Sequence, residues 1–263
     1  MVVYAGQGDA RRSMDLMWGH RGQDSRTAPG PKPALSVEAI VHAAIGVADD
    51  DGMGGLSMRA VGQRLGRTAM ALYTYVPTKG DLVDLMYDRV LGELPTHYDV
   101  GFGWRGTVTS WAEDRLEFHL RHPWTLQVSQ ARPVLGPNEF AALETVAEIL
   151  HRTDLGPRQL RGILGVVLHF VRGQAQTIAE AREAAMATGV SDEEWWYARS
   201  PLLAEVAPDF ARRFPMAVRM EEEKPGPGEG EVYMESAISE SFAVGLEVIL
   251  DGIDATIAKA GRG

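Results

Sequence analysis

The 263-residue sequence contains no cysteine. Disulfide bonds, thiolate metal ligands and a cysteine nucleophile are therefore excluded, as is common for proteins of a reducing compartment. Long hydrophobic runs are also missing, because the longest, residues 162–171, is interrupted by His169 and is too short to span a bilayer. A secretory leader is not expected either, since Arg11 and Arg12 follow the short apolar start rather than precede it. We expect a soluble, cytoplasmic protein without a membrane segment.

Sequence signatures of enzymes are missing as well. The chain has no H-x-x-x-H pair and no serine nucleophile elbow, and Gly52–Gly55 is not followed by the G-K-[S/T] of a phosphate-binding loop. Seven histidines and many glutamates could still build an acid–base or metal site, so an enzyme remains an alternative. We predict no catalytic residue, no metal site and no cofactor.

Acidic residues are missing from one stretch of an acidic chain. The net charge is −10, yet residues 57–79 contain Arg59, Arg64, Arg67 and Lys79 and no Asp or Glu. The first 95 residues carry ten Lys/Arg against eleven Asp/Glu, whereas the remainder carries sixteen against twenty-five. A local basic surface on an acidic protein is typical of a molecule that contacts nucleic acid at one end only.

Capping signals divide the same stretch into short helices. Ser57 is a good N-cap, Gly66 can end the first helix in the left-handed conformation, and Thr68 can cap a second helix. That second helix must end before Pro77, and Thr78 can cap the next one. Two short helices joined by a tight turn containing glycine form a helix-turn-helix, in which the second helix can enter the major groove of DNA.

Helical spacing assigns faces to the second helix. Leu72 and Val76, four residues apart, are expected to face the core, which leaves the other side of the helix to solvent. Basic and hydroxyl side chains on such a face can bind phosphates, while small or apolar ones meet base edges and thymine methyls. The predicted DNA-binding residues are Ser57, Arg59, Arg67, Thr68, Ala69, Met70, Tyr73, Thr74, Tyr75 and Lys79. A plain helical corner that never meets DNA is the alternative.

These residues resemble the DNA-binding head of the TetR (tetracycline repressor-like) family of bacterial regulators. The resemblance covers residues 37–91 and rests on Leu56-Ser57-x-Arg59-x-Val61, Leu65-Gly66, Ala71-Leu72-Tyr73-x-Tyr75-Val76 and Lys79-x-x-Leu82. It implies an all-α fold with a three-helix helix-turn-helix head and a larger helical-bundle body for ligand binding and dimerisation. It also implies that the Leu-Tyr pair lies in the recognition helix and that Lys79 contacts phosphate. Ala69, Met70 and Ala71 depart from tetracycline repressor and favour thymine-methyl contacts.

Composition and this resemblance predict three regions. Residues 1–34 are rich in Gly and Pro and are expected to form a flexible arm, either disordered or reaching a minor groove with its basic residues. Residues 35–95 form the helix-turn-helix domain, whose first helix runs from Ser36 to about Ala48 and ends at 49–52. Residues 96–263 form the helical effector-binding and dimerisation domain. Its helices are expected at about 104–122, 138–151 (capped by Asn138), 157–188, 192–207 and 235–259, with a charged linker at 221–231.

A second, weaker resemblance links this body to the effector domain of the tetracycline repressor branch. It rests on His122-Pro123-Trp124, Arg132-Pro133-x-Leu135-Gly136-Pro137-Asn138 and Leu168-His169-Phe170-x-x-Gly173. It implies a small-molecule pocket, although in helical bundles each candidate side chain more often packs than binds. Val128 stands where tetracycline repressor has a metal-coordinating histidine, so a magnesium–tetracycline effector is not expected. The predicted ligand-binding residues are Trp111, His119, Trp124, Gln127, His169, Arg172 and Gln176.

The helices near 157–188 and 235–259 are apolar on two faces and therefore need a second partner. The resemblance implies a homodimer formed through them, although both could simply be core. The predicted function is a repressor that a small-molecule effector releases from a palindromic DNA operator. A helical ligand-binding or adaptor protein without a DNA-binding role is the alternative.

Overall fold

The computed structural model describes residues 3–19, 35–222 and 233–261. Within these ranges the chain is helical and contains no strand, only one isolated bridge between Val3 and Val128. The all-α prediction is confirmed. The helices are α1 (Ala10–Gly19), α2 (Val37–Gly55), α3 (Met58–Leu65), α4 (Ala69–Tyr73), α5 (Lys79–Leu91), α6 (Gly103–Arg121), a 3₁₀ helix (Pro123–Gln127), α7 (Pro137–His151), α8 (Pro157–Thr188), α9 (Asp192–Val206), α10 (Phe210–Arg213), α11 (Pro215–Glu222) and α12 (Tyr233–Ala260).

Local capping explains where the short helices α3, α4 and α5 begin. The hydroxyl oxygens of Ser57, Thr68 and Thr78 accept the backbone N–H three residues later, at 3.1, 3.3 and 3.0 Å. Each bond satisfies one of the free N–H groups at a helix start. Helix α3 ends at Gly66 in the left-handed conformation, at φ 65° and ψ 34°. These starts and this stop are as the sequence predicts.

Helix α2 departs from its expected end. It starts at the Ser36 cap as predicted, but its helical turns continue through Asp49–Asp51 and kink at Gly52, reaching Gly55. The acidic residues therefore do not end the helix. Asp49 instead accepts hydrogen bonds from the side chains of His122 and Trp124, both at 2.8 Å. Those two partners lie more than 70 residues away, so local sequence carries no sign of them.

The described part of the predicted arm, residues 3–19, is not an extended tail. Residues 10–19 form α1, which packs on α5, and Val3 exchanges backbone hydrogen bonds with Gln127 and Ser129. Trp18 donates its indole N–H to the Leu135 carbonyl at 2.9 Å. The glycines suggested flexibility, but partners distant in sequence fix this segment. The remainder of the arm, residues 1–2 and 20–34, lies outside the described residues.

Three buried aspartates of α5 form a stripe along one side of that helix, which we call the aspartate stripe: Asp81, Asp84 and Asp88. Asp81 accepts hydrogen bonds from the hydroxyls of Ser13, at 2.5 Å, and Thr78, at 2.7 Å. Asp84 accepts the backbone N–H of Gly6 at 2.9 Å. The stripe therefore holds the N-terminal segment against α5.

Asp88, the third residue of the aspartate stripe, holds the start of α7 against α5. Its carboxylate accepts the backbone N–H groups of Asn138 and Glu139, both at 2.9 Å, and the Asn138 side-chain amide at 2.9 Å. Asn138 is therefore not the N-cap predicted from the sequence, because α7 begins at Pro137 and the capping carboxylate comes from α5. An anion at this position also interacts favourably with the helix dipole.

The described residues fall into two compact units, one from residues 1–172 and 253–263 and the other from residues 173–252. The first contains α1–α7, the start of α8 and the end of α12, and its core is lined by side chains such as Ile40, Val61, Leu82 and Met86. The division falls within α8 and α12. The predicted linker at 221–231 lies almost entirely outside the described residues, and the predicted boundary near residue 95 stays a prediction.

Asp84 gives a test of the aspartate stripe. Burial raises its pKa from 3.8 to about 6; Asp81 and Glu139 add to the rise, and the Gly6 N–H opposes it. The Asp84 carboxyl group ionises at a lower pH in the unfolded chain than in the folded protein. Its charge therefore destabilises the fold above about pH 6 and has no such effect below about pH 4. Asp84→Asn should therefore raise the free energy of unfolding at neutral pH by on the order of 2 kcal/mol, with little effect near pH 4.

The neighbouring Asp88→Asn is the matched control for denaturant unfolding at both pH values. It removes the charge that caps α7 and should destabilise the protein at neutral pH. Equal effects of the two substitutions would contradict separate roles for the two carboxylates.

Candidate nucleic-acid interface and ligand cavity

Helix α4 ends at Tyr73, two residues before the predicted Tyr75, but the inner and outer positions are as the spacing predicts. Leu72 in α4 and Val76, three residues after its end, are fully buried, whereas Met70 is 74% exposed and Tyr73 42% exposed. Thr74 is exposed as well, and Ala69 is half-buried. Helix α4 is thus held by its inner residues, and its outer face is open to contact.

The turn before α4 requires a glycine at position 62. The Arg67 N–H donates to the Gly62 carbonyl at 2.8 Å, which closes the turn between α3 and α4. A Cβ on Gly62 would lie 2.7 Å from the Arg67 carbonyl oxygen and 3.3 Å from the Ala69 nitrogen. Helix α4 can therefore approach α3 this closely only because residue 62 has no side chain.

The basic residues of this region have different environments. Arg64 forms an ion pair with Asp50 at 2.6 Å, so its charge is already partly neutralised. Arg59, Arg67 and Lys79 are exposed, and no ion pair to them is present in the described part of the chain. Lys79 is the first residue of α5, just after the turn that follows α4.

The remaining predicted DNA contacts have structural partners of their own. Ser57 and Thr68 are exposed helix caps, as described above. Tyr75 is half-buried and packs against the core of the head. The ten predicted positions therefore lie on one continuous segment from α3 to the start of α5, with different degrees of exposure.

The predicted ligand-binding aromatics of the body lie in its interior. Trp111, His119 and Trp124 are buried, and His119 Nδ1 lies 2.9 Å from the Thr125 hydroxyl. Burial, with smaller contributions from the charges of Arg115 and Arg172, holds the pKa of His119 well below its ordinary value. The imidazole is therefore neutral at physiological pH.

The other predicted ligand-binding residues are spread over different surroundings. Arg172 donates to the carbonyls of Thr125, Leu126 and Val128, so its guanidinium satisfies the end of the 3₁₀ helix. His169 is exposed, and its ring contacts the Gly165 carbonyl of its own helix. Gln127 is half-buried, and Gln176, in the second unit, donates to Glu180 at 2.6 Å. The seven residues are not gathered around one described cavity.

A cavity of about 260 Å³ lies elsewhere in the first unit. Its walls combine α5, α6, the 130–135 loop, α7 and the start of α8, which are distant in sequence, so pattern reasoning missed it. Apolar side chains dominate the lining, with a few polar groups among them, as in most ligand sites. The lining residues are Tyr87, Leu91, Arg115, Gln130, Pro133, Leu135, Glu139, Phe140, Ala142, Leu143 and Leu168.

His122 joins the head to the body within the first unit, and its side chain was not among the predicted site residues. Its Nδ1 lies 2.8 Å from Asp49 of α2, and its Nε2 lies 3.1 Å from Glu93, just after α5. Burial alone would lower the pKa of His122, but the two carboxylates outweigh it and raise the pKa above its ordinary value. An imidazolium here donates one N–H to each carboxylate.

A helix-turn-helix whose second helix is exposed and free of acids, on an otherwise helical chain, is the architecture of a DNA-binding transcriptional regulator. The family model described as "Tetracyclin repressor-like, C-terminal domain" matches residues 99–257. The HTH-type transcriptional repressor DrrR1 of Streptomyces coeruleorubidus is 36% identical over 256 residues, which cover 97% of this chain and 89% of that protein. The chain therefore belongs to the TetR family of transcriptional regulators.

Solved structures show the same fold. Apo ActR from Streptomyces coelicolor matches with a TM-score of 0.66 at 22% identity, over 87% of this chain and 99% of that one. ActR in complex with actinorhodin matches with a TM-score of 0.66 at 23% identity, over 86% and 99%. The family is one of transcriptional regulators rather than enzymes. Among the described helices, none has the length and apolar character needed to cross a membrane.

Gly62 gives a test of the turn. Gly62→Ala should push the Arg67 carbonyl away and displace α4, destabilising the fold by about 1–3 kcal/mol and weakening specific DNA binding by about tenfold or more. Thermal unfolding and gel-shift titration measure the two effects. Gly54→Ala is the matched control, because a Cβ there meets no atom within 4 Å. Similar behaviour of the two variants would show that the close approach at Gly62 does not position α4.

Proposed function

We propose that this chain is a homodimeric, cytoplasmic repressor that binds a palindromic operator and leaves it when a small-molecule effector binds. The observation that carries the proposal is α4, whose inner residues are fully buried while its outer face is exposed and free of acids. Family membership and the name of the relative DrrR1 support repression over activation. No step of this function requires a catalytic residue, a metal or a cofactor.

The DNA contacts divide by chemistry. Arg59, Arg67 and Lys79 bind phosphates, with the hydroxyls or backbone of Ser57, Thr68 and Thr74 beside them. Ala69, Met70 and Tyr73 face the base edges, where the exposed apolar Met70 suits a thymine methyl. Tyr75 is half-buried and supports this surface from its inner side. Its hydroxyl would contact the DNA backbone.

Two apolar faces support dimerisation. Val244 and Val248 lie four residues apart on α12 and are exposed, and Val166 on α8 is exposed as well. Apolar side chains exposed at helical spacing are typical of an interface between helices. A two-fold dimer through α8 and α12 would place two copies of α4 about 34–36 Å apart, one turn of DNA.

Helix α5 supports coupling between effector and operator. It starts with Lys79 at the DNA-binding surface, and its residues Tyr87 and Leu91 line the 260 Å³ cavity. Tyr87 follows Lys79 by eight positions in the same helix, which is roughly 12 Å along one rigid element. An effector in the cavity that shifts α5 would move Lys79 and α4, and operator binding would weaken effector binding by the same factor.

The effector is not a magnesium–tetracycline complex in this proposal. Val128, at the position of the expected metal-coordinating histidine, is buried, and its carbonyl accepts a hydrogen bond from Arg172. The segment therefore offers no imidazole to a metal. A helical ligand-binding protein without DNA remains the runner-up, and DNA binding by the purified protein separates the two.

A gel-shift against the DNA flanking its own gene tests the proposal. Lys79→Gln should lower affinity and reduce the slope of log affinity against log salt by about one, because one phosphate contact is lost. Tyr73→Ala should weaken specific binding with little change in that slope. Arg152→Gln, at an exposed arginine just after α7, is the charge-matched control and should behave like the parent.

Two results would contradict DNA binding by α4. If a selection of bound fragments from the whole genome recovers no preferred sequence, or if Tyr73→Ala and Lys79→Gln leave the parent's specific binding unchanged, α4 does not read DNA. The runner-up would then be the better description.

A further inference from the structure

The residues that line the 260 Å³ cavity differ in exposure. Tyr87, Leu91 and Arg115 are buried, whereas the apolar side chains of Leu135, Phe140 and Leu143 are each more than 40% exposed. Exposed apolar side chains grouped around a hollow mark a binding site more often than they mark ordinary surface. A ligand that entered here would cover these three side chains and place one end near Arg115.

Arg115 has no carboxylate partner in the part of the chain that the structure describes. It is 6% exposed, its Nε has no hydrogen-bond partner, and no ion pair joins it to an acid among the described residues. Its guanidinium carbon lies 5.3 Å from the centre of the Phe118 ring, and the Tyr87 hydroxyl interacts with it. Burial lowers the pKa of Arg115, and the charge of Arg172 adds to that shift, whereas Tyr87 and the charge of Glu139 oppose it. Buried charges are normally paired, so this one is open to a partner from outside the chain.

Glu139 lines the same cavity as Arg115, but its carboxylate accepts hydrogen bonds from the neighbouring loop and not from Arg115. It accepts the Leu135 N–H at 2.8 Å and a further hydrogen bond from the Val134 N–H. It thereby fixes the cavity-lining loop, where Leu135 has φ 60°, a conformation that is strained for leucine. Its negative charge attracts Arg115 without forming an ion pair with it.

We propose that the effector is a small aromatic acid whose carboxylate pairs with Arg115 and whose rings fill the apolar part of the cavity. This inference rests on the proposed function and names the ligand class for it. The volume is slightly below the roughly 300 Å³ at which drug-sized ligand sites begin, so two fused rings fit better than four. A guanidinium matches a carboxylate with two parallel hydrogen bonds, which a neutral head group cannot form.

Three probes with the same naphthalene ring and different head groups test the inference by calorimetric titration of the full chain. Naphthoate is negative, naphthamide is neutral and naphthylmethylammonium is positive. The parent should bind naphthoate about 10–100-fold more tightly than naphthamide, because the guanidinium of Arg115 forms stronger hydrogen bonds with a charged carboxylate than with a neutral amide. Naphthylmethylammonium should bind most weakly.

Two substitutions locate the effect. Arg115→Met should reduce the affinity for naphthoate to that for naphthamide and leave naphthamide binding nearly unchanged, whereas Arg115→Lys should keep the preference. Leu143→Trp, at an exposed position of the lining, should block all three probes, and it gives a second test if Arg115→Met does not fold. Arg152→Gln is the control and should bind like the parent.

Four results would overturn the inference: no naphthoate binding at millimolar concentration, equal affinities for all probes, a preference for the cation, or binding unaffected by Leu143→Trp. Operator gel-shifts on the same preparations keep the two proposals apart. Loss of the acid preference in Arg115→Met with an intact operator shift supports the inference. A parent protein that never shifts DNA would refute the proposed function, while the titrations would still decide the ligand class.

Discussion

The carboxylates of α5 hold three otherwise separate parts of the first unit together. Asp81 and Asp84 bind the N-terminal segment, and Asp88 caps α7. A buried carboxylate is costly unless hydrogen-bond donors surround it, so each aspartate requires its partner segment to be in place. The positions of α1 and α7 therefore depend on α5, and one wall of the 260 Å³ cavity depends on α7.

Helix α5 consequently belongs to two surfaces. One end lies beside α4 and carries an exposed lysine, and the other carries Tyr87 and Leu91 into the cavity. A helix keeps its length and its hydrogen bonds when it tilts, so a small shift at one end is carried to the other. The bridge from His122 to Asp49 and Glu93 adds a second contact between head and body, independent of the cavity.

The features that could be predicted from the sequence depend on interactions between residues close together in the chain. The caps at Ser57, Thr68 and Thr78 and the two faces of α4 depend on residues three or four apart, so they could be predicted. Sequence reasoning failed at Asn138, at the end of α2 and in residues 3–19, because their partners lie about 50 to 120 residues away. The cavity could not be predicted for the same reason: its polar groups come from three helices and a loop, and no motif connects them.

The side chains that hold α4 in place and those that face outward are different residues. Leu72 and Val76 anchor the helix, while Met70 and Thr74 contribute almost nothing to its packing. Mutations at the outward positions are therefore close to neutral for folding. If these positions read DNA as proposed, they could change in a duplicated gene until the copy recognised a new promoter, with the fold inherited intact.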